Sequence, residues 1–353
     1  MGKNKRKYPD QSEEDKAKKK LAKLQKSKKT ESAVVQEIKS QAAAVIESRK
    51  NSNHILEIIN YLEVDTAQDE ASAAVKALKR IFTIAIEKHE LSDETEKEEM
   101  SADEKYKVWM RERFDEMVKK LCGLIHHRKG SVSNLTIATL MTLIQQFWAS
   151  NKDSSDANNW GQKEKEILNS ITLSIISNKN QSKAVISRFQ EHLLYADVKF
   201  YFLKNLSRII GVALKKPDKA NLVFIENTLA FLEAVNMCDV EADKSNTLLC
   251  KNINTGETRF RLNFEEMKKH FSNCWLQILK CRITMDQYKR VLLIIDDKIL
   301  PYMSKPLLLT DFLMSSYNVG GSISLLALSG KMSNCTNNLR REITAFIFVC
   351  DQS

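Results

Sequence analysis

Apolar side chains recur along this chain at intervals of three and four residues. Met110, Phe114, Met117, Leu121 and Leu124 make one series, and Leu222, Ile225, Leu229 and Leu232 a second. A third runs through Phe264, Met267, Phe271, Cys274, Ile278 and Cys281. At 3.6 residues per turn, such spacing lines one face of a helix, so each series predicts an amphipathic helix whose stripe enters a core. Earlier, Ile55, Leu56, Ile58, Ile59 and Leu62, then Val75, Leu78, Ile81, Phe82 and Ala85, predict two or three short helices between residues 31 and 89.

Polar breaks separate these stripes. Ser101 and Glu104 have the spacing of a capping box and start the helix through Trp109 and Phe114, while Gly130 stands where that helix would end. Residues 135–148 and 164–176 predict two further helices around a polar break at 151–162. Residues 198–214 and 218–235 predict a pair parted at Lys216-Pro217, and residues 237–262 read as a polar loop with little periodicity. Nine glycines and four prolines in 353 residues lie well below the usual shares of roughly 7% and 5%, leaving little turn chemistry for a many-stranded sheet. The expected class is all-α. With no strict repeat of side-chain identity, an irregular HEAT-like or armadillo-like array of stacked helices fits better than a compact four-helix bundle.

Charge divides the chain. Of the formal +10, a balance of +8 falls in the first 29 residues, where Lys3, Lys5, Arg6, Lys7, Lys16, Lys18, Lys19, Lys20, Lys23, Lys26, Lys28 and Lys29 face four acids. This segment, 1–31, is read as a disordered basic arm. Its cations suit a nuclear or nucleolar address and can neutralise RNA phosphates, although Tyr8 is the one aromatic among them and base stacking is disfavoured. Ser12 and Asp15 resemble a capping pair ahead of the thin apolar line Ala17, Leu21 and Leu24. The expected organisation continues with N-terminal helices at 32–89, an acidic linker at 90–105 with eight acids before residue 105, and a helical-repeat body at 106–285. Seven cysteines, an odd number, in a long chain without a hydrophobic leader predict free thiols in a reducing compartment.

Catalytic and metal chemistry finds little support. Gly330-Lys331 lacks the spacing of a phosphate loop, and Gly321-Ser322 lacks that of a nucleophile elbow. No acid, base and nucleophile converge in the pattern, so the reading is nonenzymatic, with no cofactor. Cys122 with His126 and His270 with Cys274 have helical spacing suited to zinc, but both cysteines sit on apolar stripes and read as core thiols. Asp296-Asp297 reads as a cap or a solvated helix end rather than a carboxylate pair. Residues 130–151 carry no ionised side chain over a length that could cross a bilayer, yet eight hydroxyl and amide residues favour a buried helix. A nuclear-membrane protein built on that stretch and a chromatin- or promoter-binding protein are the alternatives.

The least ordinary punctuation lies at 306–330, PLLLTDFLMSSYNVGGSISLLALSG. Pro306 suits a first helical turn, and Gly320-Gly321 permit a sharp corner before a second apolar helix. With LLLTDFL at 307–313, SYN-x-GG at 316–321, SLLALSG at 324–330 and the upstream run from Tyr288 to Pro306, the segment resembles the signature of the CCAAT-binding-factor/nucleolar-complex family, in its nucleolar-complex-4 branch. Residues 286–330 would then begin that family's domain. The resemblance implies a helical scaffold of the nucleolus and nucleus, active in small ribosomal subunit biogenesis and pre-rRNA processing within the small-subunit processome. It further implies binding to a nucleolar protein 14 homologue and to the pre-40S particle, with pre-rRNA in reach of the arm. Pro306, Asp311, Phe312, Ser316, Tyr317, Gly320 and Gly321 are the family-motif candidates for partner binding. Phe312 and the leucines are expected to pack internally, and Asp311 or Tyr317 to serve a helix cap or the partner surface. After Gly330 the family pattern gives way to a divergent tail at 331–353, which predicts a C-terminally shortened product. The apolar 323–330 helix would then lack cover, with reduced solubility.

Overall fold

The structure is a computed structural model, and it describes residues 33–91, 100–150, 160–177, 183–215, 221–237, 248–250 and 263–318. All regular elements among these residues are helical. They are α1 (Ala33–Glu47), α2 (His54–Asn60), α3 (Gln68–Glu87), α4 (Ala102–Leu124), α5 (Gly130–Ser150), α6 (Gln162–Ile176), α7 (Lys183–Phe189), α8 (Ala196–Leu214), α9 (Leu222–Ala234), α10 (Phe264–Ile278), α11 (Met285–Ile294) and α12 (Thr310–Asn318). Between α11 and α12 the chain makes a π turn at Ile295–Ile299 and two short 3-10 turns.

Local chemistry sets several of these boundaries. The Oγ of Ser101 accepts the Glu104 N–H at 3.2 Å, while the Glu104 carboxylate accepts the Ser101 N–H at 2.7 Å, closing the expected capping box. Thr284 and Gln287 close a second box at the start of α11, and Asn221 and Asn263 cap α9 and α10. Gly130 opens α5 instead of ending α4, which stops at Leu124. His127 turns the chain there. Buried, it accepts the Lys129 N–H on Nδ1 at 3.0 Å and bonds the Thr66 carbonyl through Nε2 at 3.1 Å. A turn held by a side chain from the far end of the fold leaves no periodicity signal, and glycine was the wrong marker.

Packing follows a row in which α1 lies on α3, α3 on α5, α5 on α6, α6 on α8 and α8 on α10, with α4 across α5 and α6. Helices α7, α9 and α11 flank the later members. The three apolar series supply the seams, and one contiguous core runs from Ile38 to Phe312. Within it, Phe82, Phe114 and Phe147 meet edge to face at 5.4 and 5.2 Å, joining α3, α4 and α5. The helix over 130–151 is part of this core, as expected, with Val132, Leu140, Leu143 and Ile144 fully buried. No helix among the described residues is long and apolar enough to cross a membrane.

Two polar regions turn inward. Glu90, first of the acidic stretch, is buried and takes the Arg49 guanidinium at 2.7 Å, while Arg49 also reaches Asp103. From the supposed polar loop, Leu248, Leu249 and Cys250 enter the core. The arm at 1–31 with its capping pair, most of the acidic stretch, Lys216-Pro217 and everything after Asn318 lie outside the described residues.

Candidate interaction surface

The structure describes the first half of the 306–330 segment and makes it architectural. Phe312 is buried and stacks on Tyr288 of α11 with ring centroids 4.9 Å apart. Ser316 is fully buried, its hydroxyl donating to the Phe312 carbonyl at 2.7 Å. Pro306 opens a 3-10 turn, as its fixed φ favours. Leu309 is buried, but Leu307 and Leu308 are 52% and 55% exposed, against the expectation that all three pack inside: the 3-10 turn points one side chain in three at the core. The side chains of Asp311 and Tyr317, together with Gly320, Gly321 and the twelve cations of the arm, lie outside the described residues. Phe312 and Ser316 therefore fasten α12 to the array and present no surface.

A neighbouring polar network fastens α11. Arg290 donates through Nη1 to Glu226 at 2.7 Å and through Nε and Nη2 to Glu233 at 3.0 and 2.7 Å, so one guanidinium ties α11 to two turns of α9. Gln287 adds a bond to Glu226 at 2.9 Å. Burial works to raise the Glu226 carboxyl, but the bonds from Gln287 and Arg290 outweigh it and hold the group below its ordinary value. A carboxyl depressed in the folded state stabilises the fold above its unfolded value of 4.5 and loses that contribution as pH falls through the folded one. Replacement Arg290→Ala is expected to lower stability by roughly 1–2 kcal/mol near neutrality, about the worth of hydrogen bonds to a charged group. Urea unfolding repeated below pH 4 should show the gap between variant and parent closing.

What the sequence did not reveal is a groove of about 640 Å³ between α4 and α6. Phe114, Val118, Cys122 and Ile167 floor it, and Leu173, 44% exposed, stands at its edge. Lys163 spans the mouth, reaching Asp115 on α4 and Glu166 on α6, each at 3.5 Å. Burial pushes the Cys122 thiol up to about 12, so it is an apolar wall and not a nucleophile. His126 bonds the Ser174 carbonyl at 3.2 Å, and Ser174 donates to the Cys122 carbonyl at 2.7 Å, which holds the two helices at this spacing. Cys274 is buried beneath α8, and His270 faces Glu266 and the Phe200 ring. Among the described residues no three His, Cys, Asp or Glu converge on a common point. Asp296 and Asp297 ride on the π turn, Asp297 exposed and the Asp296 carboxyl raised by partial burial and by its neighbour.

Gly123 lies in the groove wall, exposed, and a methyl built there would meet nothing within 4 Å. Its place near the end of α4 gives Gly123→Ala an expected gain of about 0.5 kcal/mol in thermal or urea unfolding, from helix propensity alone.

Stacked helices with an open groove between neighbours, and no catalytic constellation among the described residues, define a helical-repeat protein of the kind that holds other chains. A family model described as nucleolar complex protein 4-like, TPR repeats, matches residues 26–216, more than half of the chain, and the groove lies wholly within that range. The chain belongs to the nucleolar complex protein 4-like family. Nucleolar complex protein 4 homolog B of Xenopus laevis is 34% identical over 306 residues, spanning 84% of this chain. The homologues from Gallus gallus and Homo sapiens are 31% and 28% identical, each over 81% of it. This chain spans 57–58% of the length of these curated relatives.

Proposed function

We propose that this chain is a nonenzymatic scaffold of the nucleolus that serves small ribosomal subunit assembly and pre-rRNA processing. The α4–α6 groove is read as a seat for a partner segment. The observation that carries the reading is the groove's position inside the matched repeat region: its apolar floor is open to solvent, and its polar atoms are engaged in holding helices apart. An apolar trough of this shape suits an amphipathic helix or extended segment laid along it. By resemblance, the partner is a nucleolar protein 14 homologue on the pre-40S particle. The basic arm, with its balance of +8, supplies the nuclear address and contact with pre-rRNA.

The test is affinity purification of the tagged chain beside Gly123→Trp. That residue meets open space, so the indole enters the groove without disturbing the fold. Recovery of the nucleolar protein 14 homologue and pre-rRNA with the parent, and loss of the protein partner with unchanged helical circular dichroism in the variant, is the expected result. Recovery of neither from the parent ends the assembly reading, and sequence-dependent binding of duplex DNA at physiological salt would replace it with the chromatin alternative. Undiminished partner recovery by Gly123→Trp would move the binding site elsewhere.

A further inference from the structure

Leu248, Leu249 and Cys250 are 5%, 6% and 1% exposed, yet they belong to no helix and come from a stretch whose composition reads as loop. Their main chain is gripped by side chains. The Leu249 N–H donates to Asp197 Oδ1 at 3.0 Å, the Cys250 N–H donates to Asp197 Oδ2 at 2.9 Å, and the Leu249 carbonyl accepts from Gln145 Nε2 at 3.0 Å. Both edges of this short strip are thus read, one from α8 and one from α5. Trp160 completes the pocket: its indole donates to Asp197 at 3.3 Å and stacks on Tyr201 at 4.7 Å. Lys199, in the same first turn of α8, donates to the Asn236 carbonyl at 2.7 Å, anchoring the chain where it leaves α9.

Recognition through backbone groups on both edges, with adjacent apolar side chains buried, is how grooves hold extended peptides. The strip is joined to the array by ten residues before it and twelve after it, in which polar types predominate. Tethers of that length present it at an effective concentration in the millimolar range, so three residues stay seated even when their own affinity is weak.

We propose that Gln145, Trp160 and Asp197 form a second peptide-docking site, specific for an extended segment with two adjacent large apolar residues. The chain's own Leu248-Leu249-Cys250 occupies it as an internal ligand. The site is separate from the α4–α6 groove and does not depend on the nucleolar assignment. A partner segment of the same chemistry binds there only by displacing the internal strip.

The test replaces residues 238–262 in the full chain by a Gly-Ser linker of equal length and titrates a labelled peptide spanning residues 246–252, under reducing conditions. The vacated protein is expected to bind the peptide at least about tenfold more tightly than the unaltered chain, whose site is already filled. Adding Gln145→Ala should weaken that binding. A helical linker variant that ignores the peptide, or binds it equally with and without Gln145, overturns the proposal. Should the linker variant fail to fold, hydrogen exchange on the unaltered chain decides. Leu249 and Cys250 amides that exchange faster than the α8 core amides support an exchangeable ligand, and amides that exchange only on global unfolding make the strip ordinary core.

Discussion

Replacement Asp197→Asn is expected to lower stability by about 3 kcal/mol or more, although it removes one charge and no volume. Asp197 is wholly buried and accepts from the N–H groups of Val198, Leu249 and Cys250 and from the indole of Trp160. Two donors converge on each carboxylate oxygen. An amide keeps one acceptor and turns an NH2 toward the other two donors, so they lose a partner and meet a like group, at about 1–3 kcal/mol for each buried donor left unmade. Burial pushes the Asp197 carboxyl upward against the four bonds. Because the folded value is raised, the carboxylic acid form is the one the fold favours, and its contribution is lost as pH rises through that value. Urea midpoints for parent and variant at pH 7 and pH 4 check both points: the deficit should be largest at neutrality, where the parent's four-bond acceptor is ionised, and smaller in acid. A deficit below about 1 kcal/mol at neutrality would mean that the donors find water instead.

Phe202→Ala carries the other large effect. Phe202 is fully buried on α8, with ring centroids 5.8 Å from Phe189 at the end of α7 and 4.9 Å from Phe231 on α9. Phe189 and Phe231 also meet edge to face at 5.9 Å, so the three rings form a closed cluster where α7, α8 and α9 meet. Truncation removes the central ring and leaves a cavity that rigid helices cannot close, at an expected cost of about 3–5 kcal/mol. Phe202→Leu, which refills most of the space, should recover more than half of that loss in the same denaturation series. Equal losses for the two variants would place the cost in ring-to-ring geometry instead of volume.

The helices were legible because their apolar stripes repeat without interruption. Phe114 and Met117 on α4 and Phe271 and Cys274 on α10 are buried where periodicity put them. The capping box at Ser101 was legible for the same reason, being a rule over four consecutive residues. Contacts between distant residues were not. Asp197 looks like any acid in a first helical turn, and only the fold brings Gln145, Trp160 and Leu249 to it. The α4–α6 groove likewise depends on how far apart His126 and Ser174 hold their helices, a distance that no one-dimensional pattern encodes. The signature at 306–330 gave the family correctly, yet Phe312 and Ser316 point inward. An unusual string of residues marks lineage, and in this segment the described part of it is spent on holding α12 in place.

The charged side chains lining the α4–α6 groove are Lys119, Lys163, Asp115 and Glu166, two of each sign. Such a mouth exerts no long-range pull, so a visiting segment arrives at the ordinary docking rate of about 10⁵–10⁷ M⁻¹s⁻¹, and added salt changes its arrival little. Selection among visitors therefore falls to how long each one stays on Phe114, Val118 and Ile167.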